Sequence, residues 1–262
     1  MVEPARVRAG SSIDLGDVSS QALAVFARRW IAACGLILVE FSLIAGVAAI
    51  LPFAAQIFAV AAGLDRIAVL RSAGFNGAFV GIVLVAAIGA TAVAHAAIAL
   101  MAFRDATGRA TSFATALASA LARSPSSIVA TLLSWLCLTL GLTALVVPGL
   151  IVASLFAVAI PAGVVEGLGP LASLARSAAL TRGDRWRVLG FLLVVDLGLG
   201  LANLFLVRLV YAVSTPGLSA LFFFLLALLV GALGQIALGV LYVHLRAARE
   251  GVDVEWIASV FD

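Results

Sequence analysis

Six apolar runs, each about as long as a lipid bilayer is thick, constrain this chain more than any other feature of its sequence. A helix needs about 20 mostly apolar residues to cross the hydrocarbon core of a membrane. With 64% hydrophobic and 11% charged residues, the chain has too little polar sequence to cover the surface of a soluble domain. The sequence therefore predicts an all-α polytopic membrane protein with a single six-helix domain. The runs cover residues 31–54, 78–102, 127–147, 150–165, 188–207 and 218–243.

Two prolines shape this part of the predicted bundle, one between the third and fourth runs and one inside the fourth. The tripeptide Val147-Pro148-Gly149 joins these runs and is typical of a tight turn. Pro161 lies inside the fourth run and lacks a backbone N–H, so we expect it to kink that helix.

All 16 basic residues are arginines, and their distribution predicts the orientation of the chain. On one side of the predicted membrane lie Arg66, Arg71 and Arg208, and on the other side lie the remaining 13. The positive-inside rule makes the arginine-rich side cytoplasmic. We thus expect a cytoplasmic segment with an interfacial helix over 1–30, a transmembrane bundle over 31–243 and a cytoplasmic tail over 244–262. Residues 2–21 are too polar for a signal peptide.

The use of arginine alone favours a GC-rich bacterial genome, so the expected location is a bacterial inner membrane with both termini in the cytoplasm. The net charge of +3 is concentrated in the cytoplasmic loops and does not indicate nucleic-acid binding. Membrane lipids are the expected partners, together with other membrane proteins or further copies of the chain.

Three segments of the sequence resemble one another when Arg29, Arg123 and Arg185 are aligned without gaps. Trp30 then falls on Trp186, and each segment is an amphipathic stretch followed by an apolar run. This pattern predicts three units, each made of an interfacial elbow helix and a two-helix hairpin. The alternative is that any cytoplasmic loop of a membrane protein looks amphipathic. The predicted lipid-headgroup or interface anchors are Arg28, Arg29, Trp30, Arg123, Arg176, Arg182, Arg185, Trp186 and Arg187.

A few polar residues lie within the apolar runs. Glu40 and Asp196 each follow a tryptophan by ten residues, which is about 15 Å of helix and near the bilayer midplane. His95, Asn203 and Gln235 complete the set. Ionisable groups at this depth usually face the bundle interior or a cavity. They could relay protons or bind a cation or a lipid headgroup, or they could hydrogen-bond and hold helices together.

The sequence contains no motif typical of a catalytic, metal or cofactor site, so we predict none of the three. Cys34 and Cys137 lie in apolar runs, where a free thiol behaves as a small hydrophobe. His244, at the end of the last run, could sense pH or could be a solvated interface histidine. In the tail, an apolar face formed by residues 256, 257, 260 and 261 predicts a short helix that docks on the elbows, on the interface or on a partner.

Three stretches carry a resemblance to a known family: "VPG" at 147–149, "VVEGLGPLASLARSAALTRGDRWRVLG" at 164–190 and "LYVHLRAAREGVDVE" at 241–255. Their order resembles the YciC-like inner-membrane proteins and the membrane domain fused to some glycerophosphodiester phosphodiesterases. The resemblance is strongest over 147–262 and implies a six-helix bacterial membrane protein. The fused enzymes carry a separate catalytic domain that this chain lacks, and Tyr242, Val243 and His244 replace an aromatic-acidic pair that relatives often have.

Three functions are compatible with these features. The first is a non-enzymatic scaffold, accessory subunit or envelope and lipid-homeostasis factor. The second is a transporter or channel for a small solute, ion or lipid that uses Glu40, His95 and Asp196. The third is a lipid-modifying enzyme at the cytoplasmic elbows, where a nucleophile or metal would have to join the set Glu166, Arg176, Arg182, Asp184 and Arg185.

Overall fold

The computed structural model describes residues 13–109, 111–213 and 215–250, except for some helical side chains that include those of Asp196 and Asn203. The described residues form helices joined by short connections, without a strand. The elements are α1 (Leu15–Ala61), α2 (Arg66–Arg71), α3 (Ala73–Ala106), α4 (Phe113–Ala122), α5 (Ser124–Ala144), α6 (Val146–Phe156), α7 (Ala159–Glu166), α8 (Pro170–Leu180), α9 (Arg185–Leu192), a π-helical segment (Leu193–Leu197), α10 (Gly198–Val213) and α11 (Pro216–Glu250).

Six helical stretches are long and apolar enough to cross a membrane. They are α1, α3, α5, α6 with α7, α9 with α10, and α11. This confirms the prediction of an all-α polytopic membrane protein with six membrane-spanning segments.

The first span differs from its prediction, because α1 is one continuous helix of 47 residues. At 1.5 Å per residue it is about 70 Å long, more than twice the thickness of the hydrocarbon core. Asp14 caps its N-terminus by accepting a 2.8 Å hydrogen bond from the N–H of Gly16. No turn separates an elbow from the span at Arg29, and Val18, Ala22 and Val25 are buried at i, i+4 and i+7. The predicted first elbow is therefore an extension of the span that packs against the protein.

The second and third elbows are separate helices, as predicted. Arg123 is both the C-cap of α4 and the N-cap of α5. A four-residue turn, 181–184, separates α8 from α9. Each elbow buries one face: Ala116 and Ala120 in α4, and Ser173, Leu174, Ser177 and Leu180 in α8.

The fourth and fifth spans are interrupted. The break between α6 and α7 falls at Ala157 and Val158, one turn before Pro161. Proline has no N–H for the carbonyl four residues earlier and its ring clashes with that carbonyl, so this break has the cause that the sequence predicted. In the fifth span the segment Leu193–Leu197 is π-helical. Such bulges are rare and widen the helix locally.

The turn between the third and fourth spans comes earlier than predicted. Leu145 alone connects α5 to α6, and Pro148 and Gly149 already lie in the first turn of α6. A Cβ atom on Gly149 would lie 2.8 Å from the backbone nitrogen of Leu142. Gly149 therefore serves the close approach of two helices, not the turn itself.

The packed core is concentrated in the halves of α1, α3 and α11 that lie toward the arginine-rich ends. It covers parts of residues 18–37, 96–102 and 228–248. In the opposite half of α1, large apolar side chains such as Phe53 and Phe58 are 65% exposed. The chain thus has a tightly packed end, and an end where apolar side chains point outward.

Candidate functional site

Five polar side chains form one network where α7, α8 and α11 meet. We call it the carboxylate–arginine cluster; it comprises Glu166, Arg176, Tyr242, Arg246 and Glu250. The Tyr242 hydroxyl donates to Oε1 of Glu166 at 2.7 Å, and Nε of Arg176 donates to Oε2 of Glu166 at 2.9 Å. Arg176 also donates to Glu250, which accepts from Nε of Arg246 at 2.8 Å. The cluster ties three helices together through two carboxylates.

The cluster balances its own charge. Burial opposes the charge of Arg176, but its hydrogen bonds to Glu250 and Glu166 outweigh burial and raise the pKa of the guanidinium. The aromatic ring of Tyr242 is fully buried against Phe103, with the ring centroids 5.9 Å apart. These contacts give Arg176, predicted as a headgroup anchor, an internal structural partner.

A second set of ion pairs connects α1 to the end of α3. Asp105 accepts from Nη2 of Arg28 at 2.7 Å and from Nε of Arg29 at 2.9 Å. The Asp105 side chain is only 9% exposed, whereas that of Arg28 is 45% exposed. These ion pairs therefore anchor the N-terminal extension of α1 against α3, mostly through the less exposed Arg29.

Two further arginines stabilise chain reversals near α8. Arg123 donates to the backbone carbonyl of Val164, close to the end of α7. Arg249 donates to Oδ2 of Asp184 at 3.1 Å and to the carbonyl of Leu180 at 3.3 Å. Both contacts satisfy groups at helix ends, which otherwise lack intrahelical partners.

His244 lies inside the protein. It is 3% exposed, and its Nε2 is 2.7 Å from Oε1 of Gln21 on α1. The interpretation as a solvated interface histidine is therefore wrong. Its contact with Gln21 joins α11 to the N-terminal extension of α1.

Glu40, the first of the mid-membrane polar residues, is 9% exposed and lies against α3. Its Oε1 accepts a 2.7 Å hydrogen bond from the hydroxyl of Thr91. Its Oε2 is buried and has no partner among the described residues. The carboxyl group is thus only half satisfied.

The other predicted mid-membrane residues do not join Glu40 in one network within the described part of the chain. His95 lies one turn from Thr91 on α3 and is half-buried. Gln235 is half-buried on α11. Asp196 falls in the π-helical segment and Asn203 in α10, but their side chains lie outside the described part.

The remaining predicted anchors lie at or near the protein surface. Trp30 is 45% exposed and Trp186 is 74% exposed. Arg182 is exposed, while Arg187 donates to Oδ1 of Asp184 at 3.5 Å. Arg185 is half-buried, and its Nε is buried without a hydrogen-bond partner among the described residues. The anchor role of these residues stays a prediction.

The chemistry available at the elbows is that of ion pairs. Glu166 and Asp184, the two acids of the set considered for a lipid-modifying enzyme, pair with Arg176 and Arg249. Over residues 13–250, as far as they are described, no group of three His, Cys, Asp or Glu side chains could hold a metal ion. Cys34 and Cys137 are free thiols.

Sequence reasoning missed several members of these networks: Gln21, Thr91, Asp105, Tyr242 and Glu250. Arg246 and Glu250 are spaced i, i+4 on one helix, a pattern that could have indicated their ion pair. The other contacts join residues 51 or more positions apart and leave no local signal. The predicted docking helix over residues 256–261 lies outside the described residues.

The chain matches no protein-family model, no curated protein and no solved structure.

Proposed function

We propose that this chain is a non-enzymatic membrane scaffold, acting as an accessory subunit or as a factor in envelope or lipid homeostasis. The carboxylate–arginine cluster is the observation that carries the proposal. It uses the charges of α7, α8 and α11 to fix these helices to one another. All five side chains are engaged with one another, which is what a structural contact between helices requires.

The outward-facing surface supports the same function. Beyond the packed end, α1, α3 and α10 present large apolar side chains, among them Phe58, Val85 and Phe205 at 65% or more exposure. In a bilayer such surfaces contact lipid or the helices of a membrane partner. The resemblance to YciC-like proteins over 147–262 and the arginine-rich loops favour a bacterial inner membrane with both termini in the cytoplasm.

The test is purification in native nanodiscs, followed by identification of the bound proteins and lipids. We expect a membrane protein at fixed stoichiometry that survives a high-salt wash. Glu166→Ala should release it, because loss of Glu166 leaves Arg176 and Tyr242 without their shared acceptor. Glu40→Gln is the matched control, since it changes a carboxyl group outside the cluster. Purification with neither a bound protein nor an ordered lipid would contradict the proposal.

A second candidate is a transporter or channel, and the unpartnered Oε2 of Glu40 favours it. A half-satisfied carboxyl group inside a membrane-spanning helix can take up a proton or a cation. Under this function Glu40→Gln abolishes solute or ion flux in proteoliposomes, while Glu166→Ala affects flux only through stability. Under the scaffold function, Glu166→Ala releases the bound membrane protein and Glu40→Gln does not.

A further inference from the structure

A pocket of about 160 Å³ lies between α6 and α9. Its lining residues are Ile151, Ser154, Arg185, Trp186 and Leu189. The walls are mostly apolar, and Arg185 is the charged member. Leu189 lies four positions after Arg185 and three after Trp186, so its side chain neighbours both on the surface of α9. All three side chains line the pocket.

Arg185 differs from the nearby Arg187 in its hydrogen bonding. Its Nε is buried and unpaired within the described part of the structure. The adjacent carboxylate, Asp184, accepts instead from Arg187 and Arg249. A buried guanidinium N–H without an acceptor carries a desolvation penalty that a bound anion would remove.

The other polar side chain of the pocket fits a supporting role. The Ser154 hydroxyl donates to the carbonyl of Ile151 at 2.8 Å, so its proton is already engaged. The charged donors for a ligand therefore come from Arg185, and the indole N–H of Trp186 is the neutral donor among the lining residues. The planar guanidinium presents several N–H groups in a fork that matches phosphate oxygens.

We propose that this pocket binds a phosphate-bearing anion through Arg185, with Trp186 and Leu189 contacting the apolar part of the same molecule. Trp186 is 74% exposed where the fifth span begins, a position typical of tryptophan at a membrane interface. This makes the phosphodiester of an anionic phospholipid the favoured source, with soluble phosphate as the alternative. This proposal does not rest on the scaffold function. The bound ligand and the bound protein are measured separately, so either proposal can fail without the other.

The experiment is native mass spectrometry of the full chain released from nanodiscs that contain equal amounts of phosphatidylglycerol and phosphatidylcholine. Wild type should retain phosphatidylglycerol preferentially. Arg185→Gln should lower that preference about tenfold, which is the effect of losing one charge-assisted contact of moderate strength. Arg71→Gln is the control, because Arg71 is exposed, does not line the pocket and is not one of the predicted headgroup anchors. It should leave the preference unchanged.

Arg185→Lys keeps the charge but not the fork, so it should show an intermediate preference. It also serves if Arg185→Gln does not fold, in which case an unchanged lipid preference in Arg185→Lys overturns the proposal. A parallel thermal-unfolding series with inorganic phosphate distinguishes the sources. Stabilisation by phosphate that Arg185→Gln removes supports the anion site with a soluble ligand. Equal lipid retention by wild type and Arg185→Gln, without phosphate stabilisation, overturns it.

Discussion

At the scale of single residues, the arginine-rich side of this protein is notable for how its cations are paired. Asp105 accepts from both Arg28 and Arg29, and Glu166 accepts from both Arg176 and Tyr242. A carboxylate that accepts several charge-assisted hydrogen bonds fixes the side chains around it. The arginines from which the orientation of the chain is predicted therefore also fix contacts between its helices.

Replacing Asp105 with asparagine should destabilise the chain by about 1–3 kcal/mol, the range for leaving polar groups without their partners. We expect the ion pair with Arg29 to contribute more of this free energy than the pair with Arg28, because solvent screens the more exposed Arg28. The measurement is the free energy of unfolding in detergent.

Asp17→Asn is the control for this prediction, since Asp17 is an exposed acid on α1, the helix that carries Arg28 and Arg29. It should change stability by less than about 0.5 kcal/mol. Equal effects of the two substitutions would mean that the contact with Asp105 contributes nothing specific.

At the scale of helices, the interruptions have identifiable causes. Pro161 removes a donor to the carbonyl of Ala157, and backbone groups beside the break bond Ser177 on α8. The Ser177 hydroxyl donates to the carbonyl of Leu155 at 2.7 Å and accepts from the N–H of Val158 at 3.3 Å. The elbow helix α8 thus repairs the break that Pro161 creates, which binds it to the fourth span.

Gly149→Ala should disrupt the α5–α6 hairpin. A Cβ atom at this position would lie 2.3 Å from Cδ2 and 2.8 Å from the backbone nitrogen of Leu142. Because a backbone atom is involved, the helices must separate, at a cost of about 1–3 kcal/mol. The midpoint of thermal unfolding should fall accordingly.

Gly46→Ala provides the comparison, because a Cβ atom there would meet nothing within 4 Å. Its midpoint should stay the same or rise, since alanine favours a helix over glycine. A fall of the same size in both variants would show that the loss of glycine, and not the crossing, is responsible.

At the scale of the whole molecule, the packed end and the exposed end follow from two different solvents. The extensions of α1 and α11 bury Val18, Val25 and Leu245 completely. Burial of such side chains is favourable outside the bilayer, where water is the alternative environment. Within the bilayer lipid replaces water, so apolar side chains such as Phe53 can face outward without penalty.

The orientation is testable by cysteine labelling. In a background with Cys34 and Cys137 replaced by alanine, Leu64→Cys should react with a membrane-impermeant maleimide added to bacterial spheroplasts. Arg182→Cys should react only after the membrane is permeabilised, because the positive-inside rule assigns it to the cytoplasm. Reaction of both cysteines in intact spheroplasts would contradict this topology.

The sequence alone was sufficient for the class, the six spans, the two separate elbows and the break at Pro161. These depend on local hydrophobicity and backbone chemistry, which a linear pattern records. It could not show that α1 continues through Arg29, because an amphipathic segment can lie on a membrane or pack against a neighbouring helix. The role of Gly149 likewise became clear only from the structure, because it depends on the close approach of α5 and α6.

The candidate sites show the same division. The sequence singled out Glu40, Arg176 and Arg185 because a charge in or beside an apolar run is unusual. Only the tertiary structure decided that Arg176 joins Glu166 and Glu250, and that Thr91 bonds Glu40. It also decided that Nε of Arg185 is buried beside a pocket without a partner among the described residues. The physical reason is that burial and ion pairing depend on which helices meet, and contacts between residues far apart in the chain leave no local trace in the sequence.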